Sequence, residues 1–385
     1  MKPVVVLIGR PNVGKSTLFN CLTRRRTAIV IDLPGVTRDR QIGDGAVGDR
    51  AYYIMDTGGM GTLPEGANPD LIAAAVRQTE QAIDEADALL LVTDARAGLL
   101  PADREIAQRL RRTGKPVTVV VNKSEGLDAS TATSDFHSLG LGTPVAIAAS
   151  HGTGVEELMA TVLSPFPPEE REAPDAKSDD VRIAVVGRPN AGKSTLINTL
   201  LGEDRVVVSP HPGTTRDAIR VPFERGKHKY VLIDTAGMRR RARVSEPVEQ
   251  ISVVQALRAI DDASVVVLVV DASEGVVEQD GGIGVYALEQ GRPVVIAVNK
   301  WDTLDAERRD WVRREVDRKL VTYMPFSPVH FISAQRGDGL EPLLRSCRQA
   351  HESAGRDLPT AQLNRVLEKA VEAHSPPVVR GRRIR

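Results

Sequence analysis

Short apolar runs alternate along the chain with longer stretches in which apolar and polar residues mix. Four apolar runs in the first half predict buried strands: residues 4–8, 52–55, 88–92 and 117–121. Four amphipathic stretches predict helices that begin after Lys15, near Pro69, after Pro101 and after Gly154. This alternation predicts an α/β fold with a mostly parallel sheet, helices on both faces and ligands at the carboxyl ends of the strands.

Three motifs of the first half return in the second half in the same order and at the same spacing. The segment GRPNVGKS at residues 9–16 returns as GRPNAGKS at residues 187–194. PGVTRD at residues 34–39 and DTGG at residues 56–59 return as PGTTRD at 212–217 and DTAG at 234–237. One unit has therefore been duplicated. The stretch between the copies is rich in proline and charge, which indicates a linker.

The composition excludes several classes of protein. Hydrophobic residues make up 41% of the 385 residues and charged residues 26%, which is typical of a globular protein. Lys plus Arg and Asp plus Glu both number 51, so no overall charge draws the chain to nucleic acid or membrane. The two cysteines give neither a disulfide framework nor a metal-binding spacing. No apolar run approaches the roughly 20 residues that cross a bilayer, so we expect a cytoplasmic protein without membrane contact.

Each glycine-rich segment follows a predicted strand and precedes a predicted helix, which is the context of a phosphate-binding loop. Backbone N–H groups of such a loop converge on phosphate oxygens, its lysine reaches the β and γ phosphates, and its serine hydroxyl binds Mg²⁺. The expected nucleotide contacts in the two loops are Gly9, Arg10, Pro11, Asn12, Val13, Gly14, Lys15, Ser16 and Thr17, and Gly187, Arg188, Pro189, Asn190, Ala191, Gly192, Lys193, Ser194 and Thr195.

The base is read by a second motif that follows a later apolar strand in each half. These motifs are NKSE at residues 122–125 and NKWD at residues 299–302. A carboxylate at their last position, Glu125 or Asp302, can accept hydrogen bonds from the N1 and N2 edge of guanine. Adenine offers no such pair of donors and would leave the carboxylate unpaired. The sequence therefore favours GTP and GDP over adenine nucleotides.

Together with the motif SAQ at residues 333–335, these segments resemble the five-motif set of Ras-like translation-factor GTPases, and two sets in one chain resemble the Der (EngA) family. The resemblance implies two consecutive Ras-like P-loop GTPase domains, at residues 1–165 and 181–354, joined by a linker at 166–180. Residues 355–385 resemble the start of an incomplete KH-like (α+β) domain. The resemblance further implies a monomeric GTP-hydrolysing switch that binds ribosomal RNA in a GTP-dependent manner and acts in the assembly or stability of the large (50S) ribosomal subunit. A nucleotide-sensing scaffold with one slow site, or a GTPase for another RNA, stays an alternative.

The resemblance also assigns roles to single residues. Mg²⁺ would be held by Ser16, Thr37 and Asp56 and by Ser194, Thr215 and Asp234. Backbone N–H groups of Gly59 and Gly237 would contact the γ phosphate. The guanine pockets would be formed by Asn122, Lys123, Glu125 and Ala149 and by Asn299, Lys300, Asp302 and Ala334.

Some positions depart from the expected pattern. The first copy has Glu125 in place of aspartate and Ala148 in place of the serine of the fifth motif. Met60 and Met238 stand where Ras has the glutamine that orients water, so another group must neutralise the developing charge. By resemblance, Asn12 and Asn190 would hold K⁺ for that purpose, although an asparagine can also serve only to shape a turn. The expected catalytic residues are Asn12, Lys15, Thr37, Gly59, Asn190, Lys193, Thr215 and Gly237.

Two arginine clusters could neutralise RNA phosphates or could simply be solvated. One follows the second DTAG motif and the other ends the chain; their members are Arg239, Arg240, Arg241 and Arg243, and Arg380, Arg382 and Arg383. Before the second cluster, residues 358–367 predict the start of an amphipathic helix, which Pro376 and Pro377 would end.

Overall fold

The computed structural model describes residues 2–23, 29–30, 41–58, 76, 79–167, 180–202, 220–233 and 253–373. The first unit contains a sheet with the strand order β2-β3-β4-β1-β5-β6-β7. Its strands are β1 Val4–Ile8, β2 Ile29–Val30, β3 Gln41–Val47, β4 Arg50–Asp56, β5 Ala88–Asp94, β6 Val117–Asn122 and β7 Val145–Ala146. All neighbours are parallel except in the β2-β3-β4 meander, which is antiparallel.

The second unit repeats this topology. Among the described residues its sheet has the order β13-β12-β11-β8-β10-β9, which matches the part of the first sheet from β3 to β7. The strands are β8 Val181–Val186, β9 Arg220–Arg225, β10 His228–Ile233, β11 Val265–Asp271, β12 Val294–Asn299 and β13 Val329–Phe331. Only β9 pairs antiparallel. The two sheets confirm the α/β class and the duplication.

Helices lie between the strands along the chain, and the last two helices follow β13. They are α1 Lys15–Thr23, α2 Pro101–Arg111, α3 Ala129–Thr133, α4 Val155–Leu163, α5 Lys193–Leu201, α6 Val253–Asp262, α7 Glu278–Glu289, α8 Ala306–Val316, α9 Leu340–Ala354 and α10 Thr360–Ala373. The predicted helix starts at Lys15, Pro101 and Gly154 are confirmed, whereas the one near Pro69 lies outside the described residues. Across the described ranges, no helix is both long and apolar enough to cross a membrane.

The predicted strands are present, but three of them continue past their apolar runs into a polar residue. β4 ends at Asp56, β5 at Asp94 and β6 at Asn122. Leu7 of β1 pairs with Asp56, and Asp94 pairs with Asn122. Because these strands are parallel neighbours, their polar last residues meet at one edge of the sheet. That edge positions the first site.

The two units pack against each other through a buried polar cluster. Lys2 Nζ lies 3.1 Å from Asp44 of β3 and 2.9 Å from Asp261 of α6, and the hydroxyl of Tyr53 on β4 also donates to Asp261. Gln290, next to α7, donates to Asp44 over 3.3 Å. One buried apolar cluster around these groups includes residues of both units. α6 and α7 therefore rest on the sheet of the first unit.

Candidate nucleotide-binding sites

The turn between β1 and α1 allows no side chain at two of its glycines. A Cβ at Gly9 would lie 2.3 Å from the carbonyl oxygen of Val92, and a Cβ at Gly14 would lie 2.3 Å from Nδ2 of Asn122. The loop backbone is thereby pressed onto β5 and β6. The second loop has the same close contacts at Gly187 and Gly192.

The lysine of each loop is buried among backbone carbonyls. Lys15 Nζ donates to the carbonyl oxygens of Gly9 over 3.1 Å and Arg10 over 2.8 Å, and Lys193 donates to that of Arg188 over 2.5 Å. Burial lowers the pKa of Lys15, while nearby Asp56 acts to raise it. An ammonium group enclosed by a loop of this shape is placed to meet phosphate oxygens at the loop.

Two of the expected Mg²⁺ ligands of the first site are in contact. The Ser16 hydroxyl at the start of α1 donates to Asp56 Oδ2 over 2.8 Å, at the end of β4. The other oxygen of Asp56 accepts the backbone N–H of Gly58 over 3.0 Å. The serine and the carboxylate thus present oxygens next to the phosphate loop, which is the donor set that Mg²⁺ prefers.

Several expected site residues lie outside the described residues. These are Thr37, Gly59, Met60, Thr215, Asp234, Gly237 and Met238, together with the arginines Arg239, Arg240, Arg241, Arg243, Arg380, Arg382 and Arg383.

A buried asparagine ties three loops together in each site. Asn122 Nδ2 donates to the carbonyl of Val13 over 2.9 Å, and its Oδ1 accepts the N–H of Ala149 over 3.0 Å. In the second site, the side chain of Asn299 makes the same two bonds, with the carbonyl of Ala191 and the N–H of Ala334, each over 2.9 Å. The phosphate loop, the base motif and the fifth motif are therefore held as one unit.

The lysine of each base motif is held by an aspartate at the end of the neighbouring strand. Lys123 Nζ lies 2.6 Å from Asp94 Oδ2, and Lys300 Nζ lies 2.5 Å from Asp271 Oδ2. Burial acts to raise the pKa of Asp94, but hydrogen bonds from Lys123 and from backbone N–H groups outweigh it and lower the pKa. Sequence reasoning missed both aspartates. Their repetition as the last residue of an apolar strand in each half was the available signal.

The two carboxylates that the sequence predicts to read guanine are supported differently in the two units. Glu125 Oε1 accepts from Arg96 over 3.2 Å, and its Oε2 is buried without a partner among the described residues. Asp302 instead lies 3.1 Å from Nε of Arg336, and a hydrogen bond from Ser333 is the main reason why its pKa is lowered. Neither arginine stands out in the sequence, because each reaches its carboxylate only through the fold.

Comparison with known proteins agrees with this arrangement. The family model described as 50S ribosome-binding GTPase matches residues 4–123 and again residues 182–300. GTPase Der of Thiobacillus denitrificans is 53% identical over 380 residues, covering 98% of this chain and 79% of the relative. The chain belongs to the Der family of GTPases. A second relative, GTPase Der of Azoarcus sp., is 52% identical over 377 residues, covering 98% of this chain and 84% of its own length.

A Der-family chain binds guanine nucleotides and hydrolyses GTP, so this chain is a GTPase with two G domains in tandem. A solved structure of Era from Aquifex aeolicus is similar at 23% identity and a TM-score of 0.39, covering 82% of this chain and 98% of Era.

Proposed function

We propose that this Der-family GTPase uses its nucleotide state to control binding to the large ribosomal subunit, and that it acts in the assembly of that subunit. The observation that carries the proposal is the doubled, similarly braced site in a chain whose family model is described as 50S ribosome-binding GTPase. Work on ribosomal subunits would place the protein in the cytoplasm.

The residues assigned to Mg²⁺ fit that ion. In the first site Ser16 and Asp56, whose oxygens lie 2.8 Å apart, would hold it together with Thr37. Ser194, Thr215 and Asp234 would do the same in the second site. When bound, the ion neutralises charge on the phosphate oxygens. The loop lysines and the converging backbone N–H groups supply the remaining positive field.

The loop asparagines are the proposed K⁺ ligands. Asn12 and Asn190 both adopt the left-handed backbone conformation, with φ of 64° and 62°. The same conformation suits an asparagine that only shapes the turn, so salt dependence decides between the two roles. A K⁺ role predicts faster GTP hydrolysis in KCl than in NaCl, and equal rates would contradict it.

The arginine clusters at residues 239–243 and 380–383 are the proposed RNA contacts. Contacts to RNA phosphates weaken steeply as salt rises, because binding releases counterions. The domain boundaries that accompany this proposal are residues 1–165 and 181–354 for the G domains, with residues 355–385 as the start of a KH-like segment.

Sedimentation with purified large ribosomal subunits tests the proposal. The chain is mixed with subunits in a non-hydrolysable GTP analogue or in GDP, at two salt concentrations. We expect co-migration with the analogue and not with GDP, weakening as salt rises. The matched control is Lys15→Ala with Lys193→Ala, which removes both phosphate-loop ammonium groups and should abolish co-migration. Equal binding in both nucleotides would refute a nucleotide-controlled association.

A second function is favoured by the different support of Glu125 and Asp302. In this alternative, one site turns over slowly and only regulates the other. Single-turnover GTP hydrolysis by Ser16→Ala and by Ser194→Ala separates the two cases. A regulatory scaffold should lose little hydrolysis in one variant and nearly all of it in the other, whereas two working sites should each lose a comparable share.

A further inference from the structure

The second residue of each phosphate loop is an arginine whose side chain reaches a buried aspartate. Arg10 Nε donates to Asp103 Oδ1 over 2.7 Å, and Arg188 Nε donates to Asp280 Oδ1 over 3.1 Å. Both aspartates are 0% exposed. They lie in the first turn of α2 and of α7, outside every motif that predicted the site. The same pair has formed in both copies.

Each aspartate also caps the N-terminus of its own helix. The second oxygen of Asp103 accepts the backbone N–H of Leu100 over 3.0 Å, and that of Asp280 accepts the N–H of Val277 over 3.1 Å. The carboxylate is therefore fixed by the helix and cannot follow the arginine if the loop moves. A buried carboxylate without its cation is costly, so the arginine is held in turn.

The residue that is held in this way supports the loop lysine. The backbone carbonyl of Arg10 accepts from Lys15 Nζ over 2.8 Å, and the carbonyl of Arg188 accepts from Lys193 Nζ. We propose that Asp103 and Asp280 are positioning residues for nucleotide binding, which act through Arg10 and Arg188 to keep the phosphate loops in the shape that receives phosphate. The inference rests on the assignment of these loops as the nucleotide sites.

The two arginine–aspartate pairs, Arg10 with Asp103 and Arg188 with Asp280, have different surroundings. Arg188 Nη1 also lies 2.7 Å from Glu274, and its Nη2 donates to the carbonyl of Gly275 over 3.2 Å. In the first unit the position of Glu274 is taken by Ala97. Nη2 of Arg10 is buried there without a hydrogen-bond partner among the described residues. Because preorganised loops bind more tightly, the extra carboxylate slows nucleotide release from the second site.

Exchanging the exposed residues Ala97 and Glu274 tests this difference without disturbing the core. Release of a fluorescent GDP analogue is measured in the full chain, with the other site silenced by Lys193→Ala or Lys15→Ala. Glu274→Ala should speed release from the second site about two- to fivefold, the range of a half-exposed ion pair. Ala97→Glu should slow release from the first site by a similar factor. Unchanged rates, or shifts of opposite sign, would overturn the proposed difference between the two arginine–aspartate pairs.

A double-mutant cycle separates positioning from helix capping. Asp280→Asn keeps the size of the side chain but removes the charge that holds Arg188, and Arg188→Lys keeps a charge but loses the planar fork. Each alone should speed GDP release on the order of tenfold, and the pair together should add little to either. If the two effects multiply instead, Asp280 acts only on its own helix and the proposal fails. If the unmodified chain does not bind nucleotide at all, the assignment of these loops as nucleotide sites is refuted instead.

Discussion

Single residues decide how the two carboxylates predicted to read guanine are supported. The sequence predicted Glu125 and Asp302 as a pair with one role, and the role stays a prediction for both. In the second site a hydrogen bond from Ser333 is the main cause that lowers the pKa of Asp302, whereas Ala148 offers the first site no hydroxyl at that position. Arg96 contacts one oxygen of Glu125. The sequence shows the missing serine but not the contact from Arg96, because Arg96 lies on a loop from another strand.

Replacing Ser333 with alanine should weaken GDP binding at the second site by about two- to tenfold at pH 7, the value of one hydrogen bond. The hydrogen bond from Ser333 lowers the pKa of Asp302 below its ordinary 3.8, so the ionised carboxylate persists as the pH falls through 3.8. In the variant the pKa rises, and binding should be lost at higher pH. Binding of fluorescent GDP between pH 7 and about 3 measures both effects, because this range includes the ordinary carboxylate pKa.

The matched substitution is Ala148→Ser in the first site, which supplies the hydroxyl where the second site has it. We expect GDP binding at the first site to strengthen or stay equal. The pH below which that binding is lost, its acid limit, should not rise. A Ser333→Ala variant with an unchanged acid limit would show that Ser333 does not control the ionisation of Asp302.

At the scale of elements, the sequence predicted the strands, the helices and the motif loops well, because apolar runs and glycine-rich turns are local signals. The residues that the sequence did not reveal reach the site across the fold. Asp94 and Asp271 stand at strand ends, and Asp103 and Asp280 stand in helix first turns, where an aspartate is ordinary. Their partners are distant in the chain, so no spacing rule indicates the contact.

The turn between β1 and α1 should not tolerate a methyl group at Gly14. A Cβ there would lie 2.3 Å from Asn122 Nδ2, so Gly14→Ala should break the bond from Asn122 to Val13 and lower GDP affinity at the first site more than tenfold. Gly48→Ala is the matched control, since Gly48 also has positive φ but nothing lies within 4 Å of its Cβ. That control should cost about 1 kcal/mol in the free energy of unfolding and leave binding unchanged. Equal binding by the two variants would refute the steric argument.

At the scale of the whole molecule, the two units share a buried ionic cluster that no sequence pattern predicted. Lys2 precedes the first strand and Asp44 lies on β3, whereas Asp261 lies on α6, so the contact from Lys2 to Asp261 forms only when the second unit docks on the first. Arg258 of α6 adds a pair with Asp87 over 2.7 Å. A duplication is visible in the sequence, but the surface that joins the copies is not, because each copy contributes different residues to it.

Lys2→Met should uncouple the two units. Lys2 is 4% exposed and Asp44 is 5% exposed, so removing the ammonium leaves carboxylates facing each other in a buried interface. Breaking a buried pair in this way costs about 3–5 kcal/mol. We expect urea unfolding, followed by tryptophan fluorescence and circular dichroism, to separate into two transitions, one for each unit. Both tryptophans, Trp301 and Trp311, belong to the second unit, so their fluorescence reports that unit alone.

The control for this prediction is Lys319→Met, which removes a lysine that pairs with Glu315 and donates to the carbonyl of Val276, both within the second unit. That pair is partly exposed and screened by solvent, so its loss should leave the number of transitions unchanged. If Lys2→Met and Lys319→Met unfold alike, the cluster does not hold the units together, and their docking must rest on the apolar contacts around Tyr53 and Tyr286. Because the polar groups lie inside that apolar cluster, a carboxylate without its cation should weaken both kinds of contact at once.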